Sequence, residues 1–400
     1  MKIAIVSDNH FGKRKFRKMT GSMNTYEYLN YKYNDEFADD IIGSNVDLLL
    51  IAGDFFDTAN PTTIALEKAQ LFLDKITRNG IEAIMVGGNH DYSSRNHILG
   101  VHPFDRLKMD GVHLSYQNYE VITKEKDGEQ VHVVALPWHQ PELNQDTMKV
   151  DETLMNQLWV DIINDIRKLK GKVILLTHGV VEEMISNNWS KTGEENEVSE
   201  ATKINNMILP KILTDKFDYV IIGHIHSPFN LLKQKDDSYK KQMVISPGAT
   251  IINDKNQFNL DILNKTDMTQ IKTGPLYLHT QSKISMSAIE RHEIKTIEYI
   301  ESEIYDSNQL NNLLLEVSHM KQPHIWKIRY HGNMEEMDQE MYQKARDHSL
   351  NFLIQLEGET ETANHLVSVR DFWEWLDNRK PEYREEFQQM VKGESKIGDN

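Results

Sequence analysis

Five short polar motifs, each directly after an apolar, strand-like run, constrain the fold more than any other feature of this sequence. Continuous apolar strands belong to sheets covered on both faces, and sites in open α/β sheets form beyond the carboxyl ends of the strands. The motifs are Asp8-Asn9-His10, Gly53-Asp54-Phe55-Phe56-Asp57, Gly88-Asn89-His90-Asp91, Thr177-His178-Gly179 and Gly223-His224-Ile225-His226. We therefore expect an α/β fold in which these motifs meet.

The side chains in these motifs are typical of a metal site without sulfur. They are Asp, His and Asn, and the chain has no cysteine, which excludes disulfides and thiolate sites. Nitrogen and oxygen ligands suit Mn²⁺, Fe, Zn²⁺ or Mg²⁺. One motif alone is weak evidence: a Gly-Asp pair is more often a turn, and His224 and His226 could be one buried and one exposed strand residue. The ordered set of five predicts metal chemistry.

Alternating apolar runs and amphipathic segments predict the elements between the motifs. We expect strands at residues 3–7, 46–52, 82–86, 131–136, 173–177 and 219–222, and further strands within 240–252. We expect helices at residues 34–43, 61–78 and 151–169. The polar residues 182–206 are interpreted as a surface excursion.

The pattern changes near residue 290. Strands are predicted at residues 294–299, 325–330 and 351–356, with helices at 308–319 and 337–347 between them. Such a β-α-β-α-β unit is large enough for a small second domain. A linker at residues 358–364 and two short helices follow.

Bulk properties narrow the function classes. The 400 residues carry a formal charge of −16, which argues against a protein that coats nucleic acid nonspecifically but does not exclude DNA as a substrate. There is no apolar run of about 18 residues, so we expect no transmembrane helix and no membrane partner. The first residues lead straight into a strand, so we expect no signal peptide and a cytoplasmic protein, in the host cytoplasm if it is viral.

Taken together, the motifs resemble those of the calcineurin-like metallophosphoesterase superfamily over residues 1–265. The resemblance implies a two-sheet β-sandwich flanked by helices, with two divalent metal ions between the sheets. It implies three groups of ligands: Asp8, His10 and His226 for the first metal, Asn89, His178 and His224 for the second, and Asp54 as the bridge between them. It makes His90 the catalytic residue beside the scissile phosphate. Asp57 and Asp91 would orient these groups by hydrogen bonds, or cap a helix.

Flanking residues resemble the SbcD nuclease family in particular, and its bacteriophage members. Residues 7–12 resemble its S-D-x-H-L-G opening, with Phe11 in place of leucine, and residues 53–58 resemble G-D-x-F-D-T. Leu136-Pro137-Trp138 and Ser246-Pro247-Gly248 resemble two further segments, although Ala249-Thr250 then departs from the family pattern. The resemblance implies an exonuclease and structure-dependent endonuclease in DNA recombination and repair. Mn²⁺ would be the preferred metal, with Mg²⁺ possible, and the nuclease would form a homodimer within a heterotetramer with an SbcC-type coiled-coil ATPase.

The predicted organisation has three parts. Residues 1–285 form the metallophosphoesterase domain, residues 290–358 a small α+β DNA-capping domain, and residues 365–393 a short helical tail that is a candidate for docking the ATPase.

A basic run offers modest independent support for DNA. It follows the first motif and consists of Lys13, Arg14, Lys15, Arg17 and Lys18. These residues could contact backbone phosphates, or could be a solvated loop. The tyrosines at 26, 28, 31 and 33 could stack on bases or simply pack in the core.

Two other functions remain open from the residues. One is a small-molecule or cyclic-nucleotide phosphodiesterase with the same metals. The other is a non-enzymatic scaffold that recruits an ATPase, which the complete set of ligands together with His90 argues against.

Overall fold

The computed structural model describes residues 1–15, 18–92, 109–139, 153–182, 207–226, 228–234, 241–251, 273–294, 297–320, 323–332 and 337–356. The predicted tail at 365–393, Arg17 of the basic run and most of the predicted surface excursion lie outside these residues. The chain divides into two compact units, Met1–Glu298 and Tyr299–Asn400.

The first unit contains the five motifs and alternates strands with helices. Its strands are β1 (Lys2–Val6), β2 (Met19–Thr20), β3 (Met23–Asn24), β4 (Leu48–Ile51), β5 (Glu82–Val86), β6 (Val112–Ser115), β7 (Glu120–Lys126), β8 (Glu129–Leu136), β9 (Lys172–His178), β10 (Val180–Val181), β11 (Ile208–Leu209), β12 (Tyr219–Gly223), β13 (Phe229–Gln234), β14 (Lys241–Ser246), β15 (Leu276–His279) and β16 (Ile289–Arg291). Its α-helices are α1 (Thr25–Gly43), α2 (Thr63–Arg78), α3 (Thr153–Ile166) and α4 (Lys211–Thr214), and a 3₁₀ turn spans Met286–Ala288. Across the described ranges of the whole chain, no helix combines the length and the apolar character that a membrane span requires.

Two six-stranded sheets dominate this unit in the part of the chain that the structure describes. One has the order β16-β15-β1-β4-β5-β6, and the other has the order β13-β14-β12-β9-β8-β7. The strands that precede the motifs are parallel neighbours: β1 pairs with β4, β4 with β5, and β9 with β12. Their carboxyl ends therefore lie at the same edge of each sheet.

Alternation along the central strands explains why both faces of each sheet are apolar. In β1, Ile3 and Ile5 pack in a cluster with β8, β9, β12 and β14 of the other sheet. Ala4 and Val6 instead pack with residues of α1 and α2 on the opposite face. Since successive side chains of a strand point to opposite faces, a strand buried on both faces reads as a continuous apolar run. The predicted sandwich flanked by helices is confirmed.

Helix α1 begins well before the predicted residue 34. Asn24 caps it, since its side chain accepts hydrogen bonds from the backbone N–H groups of Tyr26 and Glu27. Tyr26, Tyr31 and Tyr33 are buried in the core, and only Tyr28 is exposed. The suggestion that this group of tyrosines stacks on bases is therefore wrong for the three that are buried.

Within its described residues, the second unit has a three-stranded sheet and two helices. Its elements are β17 (Glu298–Ile304), α5 (Ser307–His319), β18 (His324–Tyr330), α6 (Gln339–His348) and β19 (Asn351–Leu356). The sheet order is β17-β18-β19, and β18 and β19 are parallel. The first strand was predicted at 294–299, which is too early. Ile294 packs with the helix-side core of the first unit, and its backbone N–H donates to the carbonyl oxygen of Thr273.

Candidate metal centre

The carboxyl ends of five strands bring all five motifs together. Asp8 follows β1, Asp54 follows β4 and Asn89 follows β5, all in one sheet. His178 ends β9 and His224 follows β12, in the other sheet. The two sheets thus contribute to one site at the same end of the sandwich.

One group of converging side chains contains Asp8, His10 and His226. The Nε2 atoms of His10 and His226 are 3.1 Å apart, and His226 Nε2 lies 3.5 Å from Asp8 Oδ1. Burial, and then the neighbouring His10, lower the pKa of His226 to about 2, so its ring is neutral near pH 7. Two imidazole nitrogens and a carboxylate oxygen at this spacing suit a shared divalent cation.

A second group contains Asn89, His178 and His224. Asn89 Oδ1 lies 2.9 Å from His178 Nε2 and 3.0 Å from His224 Nδ1. His178 Nδ1 donates to the carbonyl oxygen of Ala52 at 2.9 Å, which turns Nε2 towards the site. Burial, and then the charge of His178, lower the pKa of His224 to about 4.

Asp54 lies between the two groups. Its Oδ1 accepts a hydrogen bond from the backbone N–H of His90 at 2.8 Å. Its Oδ2 is 3.3 Å from His178 Nε2 and 3.9 Å from His10 Nε2. Burial acts to raise the pKa of Asp54, but His178, His10 and His90 together hold that pKa well below its usual range. A permanently ionised carboxylate in this place fits a bridge between two cations.

The carboxylates of Asp54 and Asp8 favour a positive charge on His178. Burial acts to lower the pKa of His178, yet Asp54 and Asp8 raise it to about 9. Burial raises the pKa of Asp8. Two buried carboxylates thus stabilise an imidazolium in the centre of the site, which is the electrostatic setting that a pair of divalent cations requires. Together with the donor set, this fits two bound metal ions.

His90 has a different position from the seven residues of these groups. Its Nδ1 donates to the carbonyl oxygen of Asp57 at 2.8 Å, and its Nε2 is 4.0 Å from Asp54 Oδ2. The side chain is 40% exposed, whereas those of His10 and His178 are fully buried. His90 therefore faces the open side of the centre.

Asp57 and Asp91, the two carboxylates expected to orient other groups, have different partners. Asp57 Oδ1 is 3.3 Å from His10 Nδ1 and 3.2 Å from Lys13 Nζ. Burial acts to raise the pKa of Asp57, but His10 and Lys13 lower it to about 2. Asp91 accepts from the backbone N–H groups of Phe55, Phe56 and Gly88, and so ties the second motif to the third.

The motif loops are strained, which is common at functional sites. Among the described residues, the positive φ angles of non-glycine residues include those of Asp8 (50°), His10 (47°), Asp54 (48°) and His224 (79°). Each such residue costs on the order of 1–3 kcal/mol. Gly53 has a φ of 82°, and a Cβ atom there would lie 2.5 Å from Nδ1 of His178. Only glycine accommodates that approach.

Lys13, the first residue of the basic run, lies next to this centre, and every described member of the run has a partner. Lys13 contacts Asp57, and Arg14 Nε donates to Glu27 Oε2 at 2.7 Å. Glu27 is buried in the first turn of α1. Lys15 and Lys18 have partners as well, and Arg17 is outside the described residues. The pairing of Arg14 with Glu27 is not predictable from local sequence, because the two residues are thirteen positions apart.

Comparison with known proteins gives a family and two relatives. Residues 1–228 match the model of the family described as calcineurin-like phosphoesterase. The chain is similar to the DNA double-strand break repair protein Mre11 of Saccharolobus solfataricus, with 25% identity over 235 residues, which is 58% of this chain and 51% of the relative. It is also similar to the Mre11 protein of Methanocaldococcus jannaschii, with 23% identity over 318 residues, 79% of this chain and 73% of the relative.

Solved structures are similar only at a distance. Purple acid phosphatase PPD1 from yellow lupin (Lupinus luteus) seeds aligns over 69% of this chain and 48% of its own, with a TM-score of 0.41 and 11% identity. A dimetal phosphatase from Danio rerio aligns over 70% of this chain and 92% of its own, with a TM-score of 0.39 and 11% identity. The match to the Saccharolobus protein spans about half of that relative's length.

Proposed function

Because the chain belongs to the calcineurin-like phosphoesterase family, we propose that it is a metal-dependent phosphodiesterase that cleaves DNA. Asp8, His10 and His226 would hold one divalent cation, and Asn89, His178 and His224 the other. Asp54 would bridge them. The observation that carries the proposal is the position of Asp54 Oδ2 between His178 Nε2 at 3.3 Å and His10 Nε2 at 3.9 Å.

The side chains around the centre have separate tasks. When bound, two divalent cations supply Lewis acidity and an activated water nucleophile. His90 is anchored through Nδ1 to the Asp57 carbonyl oxygen, and its Nε2 would face the scissile phosphate. From there it would donate a proton to the leaving oxygen, or stabilise charge on the phosphoryl oxygens. Asp57 holds the His10 ring, and Asp91 holds the backbone of the second motif.

The names of the two relatives support DNA as the substrate. The two archaeal proteins are named as DNA double-strand break repair proteins. Lys13, which lies beside the centre, and the other members of the basic run would add contacts to backbone phosphates. The second unit would act as the DNA-capping domain. The chain would then act as a nuclease in recombination and repair, with both exonuclease and structure-dependent endonuclease activity.

The remaining expectations complete the proposal. Mn²⁺ would be the activating metal, with Mg²⁺ as the alternative. The partner would be an SbcC-type coiled-coil ATPase, and two copies of this chain would form the nuclease core of a heterotetramer. The protein would work in the cytoplasm, where such DNA is found in a bacterium or an infected host.

An assay on end-labelled linear duplex DNA, with and without Mn²⁺, tests the function. A cyclic nucleotide serves as the rival substrate, because a small-molecule phosphodiesterase would use the same metals. We expect Mn²⁺-stimulated cleavage of DNA, which His90→Ala slows by about 10²- to 10⁴-fold. Cleavage of the cyclic nucleotide alone would contradict the nuclease proposal, and a Mn²⁺-loaded chain inactive on both would favour a scaffold. Adding a candidate ATPase tests the partnership separately.

A further inference from the structure

Asn9 lies between two of the proposed ligands, and its side chain is fully buried beneath the site. Its Nδ2 donates to Asn34 Oδ1 at 2.7 Å and to Thr250 Oγ1 at 3.2 Å. Asn34 belongs to α1, and Thr250 follows β14. One amide therefore joins the first motif to a helix on one side and to the opposite sheet's last loop on the other.

The backbone of Asn9 is held by the same helix. Its carbonyl oxygen accepts from Asn30 Nδ2 at 2.7 Å and from Asn34 Nδ2 at 3.5 Å. Asn30 and Asn34 are one helical turn apart, so both face the same side of α1. On either side of this peptide, Asp8 and His10 have left-handed backbone angles of 50° and 47°. The contacts hold a segment that would otherwise relax.

The loop that carries Thr250 reaches the third residue of the same group. The backbone N–H of Ala249 donates to the carbonyl oxygen of His226 at 2.9 Å. Ser7 Oγ donates to the carbonyl oxygen of Gly248 at 3.2 Å, and Ser7 and Ala249 form a parallel β-bridge. The path from Asn9 through Thr250 therefore ends at His226, whose Nε2 lies 3.1 Å from that of His10.

We propose that Asn9, with Asn30, Asn34 and Thr250, is a positioning cluster that fixes the first metal site by aligning Asp8 and His10 with His226. The inference rests on the proposed two-metal function, and names residues that the motif pattern leaves unspecified. Among the described residues, no hydrogen-bond donor serves Asn9 Oδ1 or Asn30 Oδ1, although both amides are buried. Buried amide oxygens of this kind are unfavourable for stability, and the Oε1 atom of the buried Gln242 likewise has no donor among the described residues.

Titration of the purified full chain with Mn²⁺ tests the cluster. Binding is followed by calorimetry, and the spin-coupled signal of a manganese pair is followed by electron paramagnetic resonance. We expect Asn9→Ala to lower the affinity for one of the two Mn²⁺ ions, the one held by Asp8, His10 and His226, by about 10- to 100-fold. This is the usual effect of removing a group that orients metal ligands. The other ion should bind within about twofold of its original affinity, so the coupled signal gives way to that of isolated Mn²⁺.

Gln242→Ala is the matched control, because Gln242 is a fully buried amide that donates to the carbonyl oxygens of Thr214 and Phe217, and none of these three residues belongs to a motif. It should lower the melting temperature and leave both Mn²⁺ affinities unchanged. Thr250→Val, which removes one hydroxyl from a buried side chain, replaces Asn9→Ala if that variant does not fold. This variant should lower the affinity for the same Mn²⁺ ion.

The outcomes separate this inference from the proposed function. If the unmodified chain binds fewer than two Mn²⁺ ions, the two-metal function itself fails, and the cluster with it. Suppose that the unmodified chain binds two Mn²⁺ ions, and that Asn9→Ala and Thr250→Val each bind two with unchanged affinities. Only the positioning role is then overturned. Equal weakening of both ions in these variants, matched by Gln242→Ala, would also overturn it in favour of a general loss of stability.

Discussion

Nδ1 of His90 lies 2.8 Å from the backbone carbonyl oxygen of Asp57, and this contact determines which ring nitrogen faces the metal centre. A carbonyl oxygen can only accept, so Nδ1 carries a proton and Nε2 is left for the substrate. The orienting group is backbone, so side-chain changes at residue 57 leave the carbonyl oxygen in the chain while removing the contact to His10.

His90→Ala should remove catalysis without removing the metals. We expect the rate of DNA cleavage to fall by about 10²- to 10⁴-fold, the usual contribution of a general acid. Mn²⁺ affinity should stay within about twofold, because His90 lies outside both ligand groups. Single-turnover cleavage and calorimetric titration measure the two effects. A variant that loses Mn²⁺ binding in parallel with activity would show that His90 is a ligand.

Asp54→Asn should abolish binding of the metal pair, because one carboxylate lies between both groups. Mn²⁺ added to the original chain should stabilise it by about 2.7 kcal/mol for each ion present at one hundred times its dissociation constant, and so raise the melting temperature. The variant should show no such Mn²⁺-dependent shift. Asp40→Asn is a control, since Asp40 instead contacts Tyr277 and His292, and its Mn²⁺-dependent shift should be intact. A full shift in Asp54→Asn would contradict the bridging role.

Gly53→Ala should destabilise the fold through both backbone strain and a collision with His178. Gly21 separates the two effects, because it also has a positive φ (61°) but no atom within 4 Å of an added Cβ. We expect Gly21→Ala to cost about 1 kcal/mol, since alanine tolerates the left-handed region poorly. Gly53→Ala should cost several times more and lower Mn²⁺ affinity. Chemical denaturation measures both, and equal losses would show that the collision is relieved without cost.

Lys13→Ala should weaken DNA binding with little dependence on DNA sequence. If Lys13 contacts a phosphate, the negative slope of log affinity against log salt concentration should become less steep by about 0.9 in the variant. Binding is measured by fluorescence anisotropy between low and moderate salt with catalytically inactive His90→Ala protein as the background. An unchanged slope would mean that Lys13 serves only Asp57, with which it forms an ion pair at 3.2 Å.

Much of the fold was accessible from the sequence because its central strands are buried on both faces. Strands β5 and β19 match the predicted residues, and helices α2, α3 and α6 differ from the predicted ones by a few residues at their ends. The antiparallel partner β7 was missed. The Asp127-Gly128 turn that joins it to β8 has φ angles of 51° and 76°, the left-handed pair that favours a two-residue hairpin. That signal is present in the sequence, but β7 is mostly polar and does not alternate clearly.

The site was predictable in membership and not in its supports. The motif residues converge because parallel strands place their carboxyl ends together. By contrast, the contacts of Asn9 with Asn34 and Thr250 join residues 25 and 241 positions apart, and no local pattern announces them. Helix α1 was predicted too short for a related reason. Its first turns are rich in tyrosine and asparagine, which have ordinary helix propensity, and they are stabilised by burial.

Each ligand group draws residues from both sheets: Asp8, His10, Asp54 and Asn89 follow strands of one, whereas His178, His224 and His226 belong to the other. A partly folded chain with only one sheet formed therefore has no competent site, however well that sheet is built. A pair of bound cations would in turn link the two sheets, and any sliding of one sheet over the other would disrupt both metal sites. Metal binding would then depend on complete folding, so that the chain becomes active only after its two six-stranded sheets have packed together.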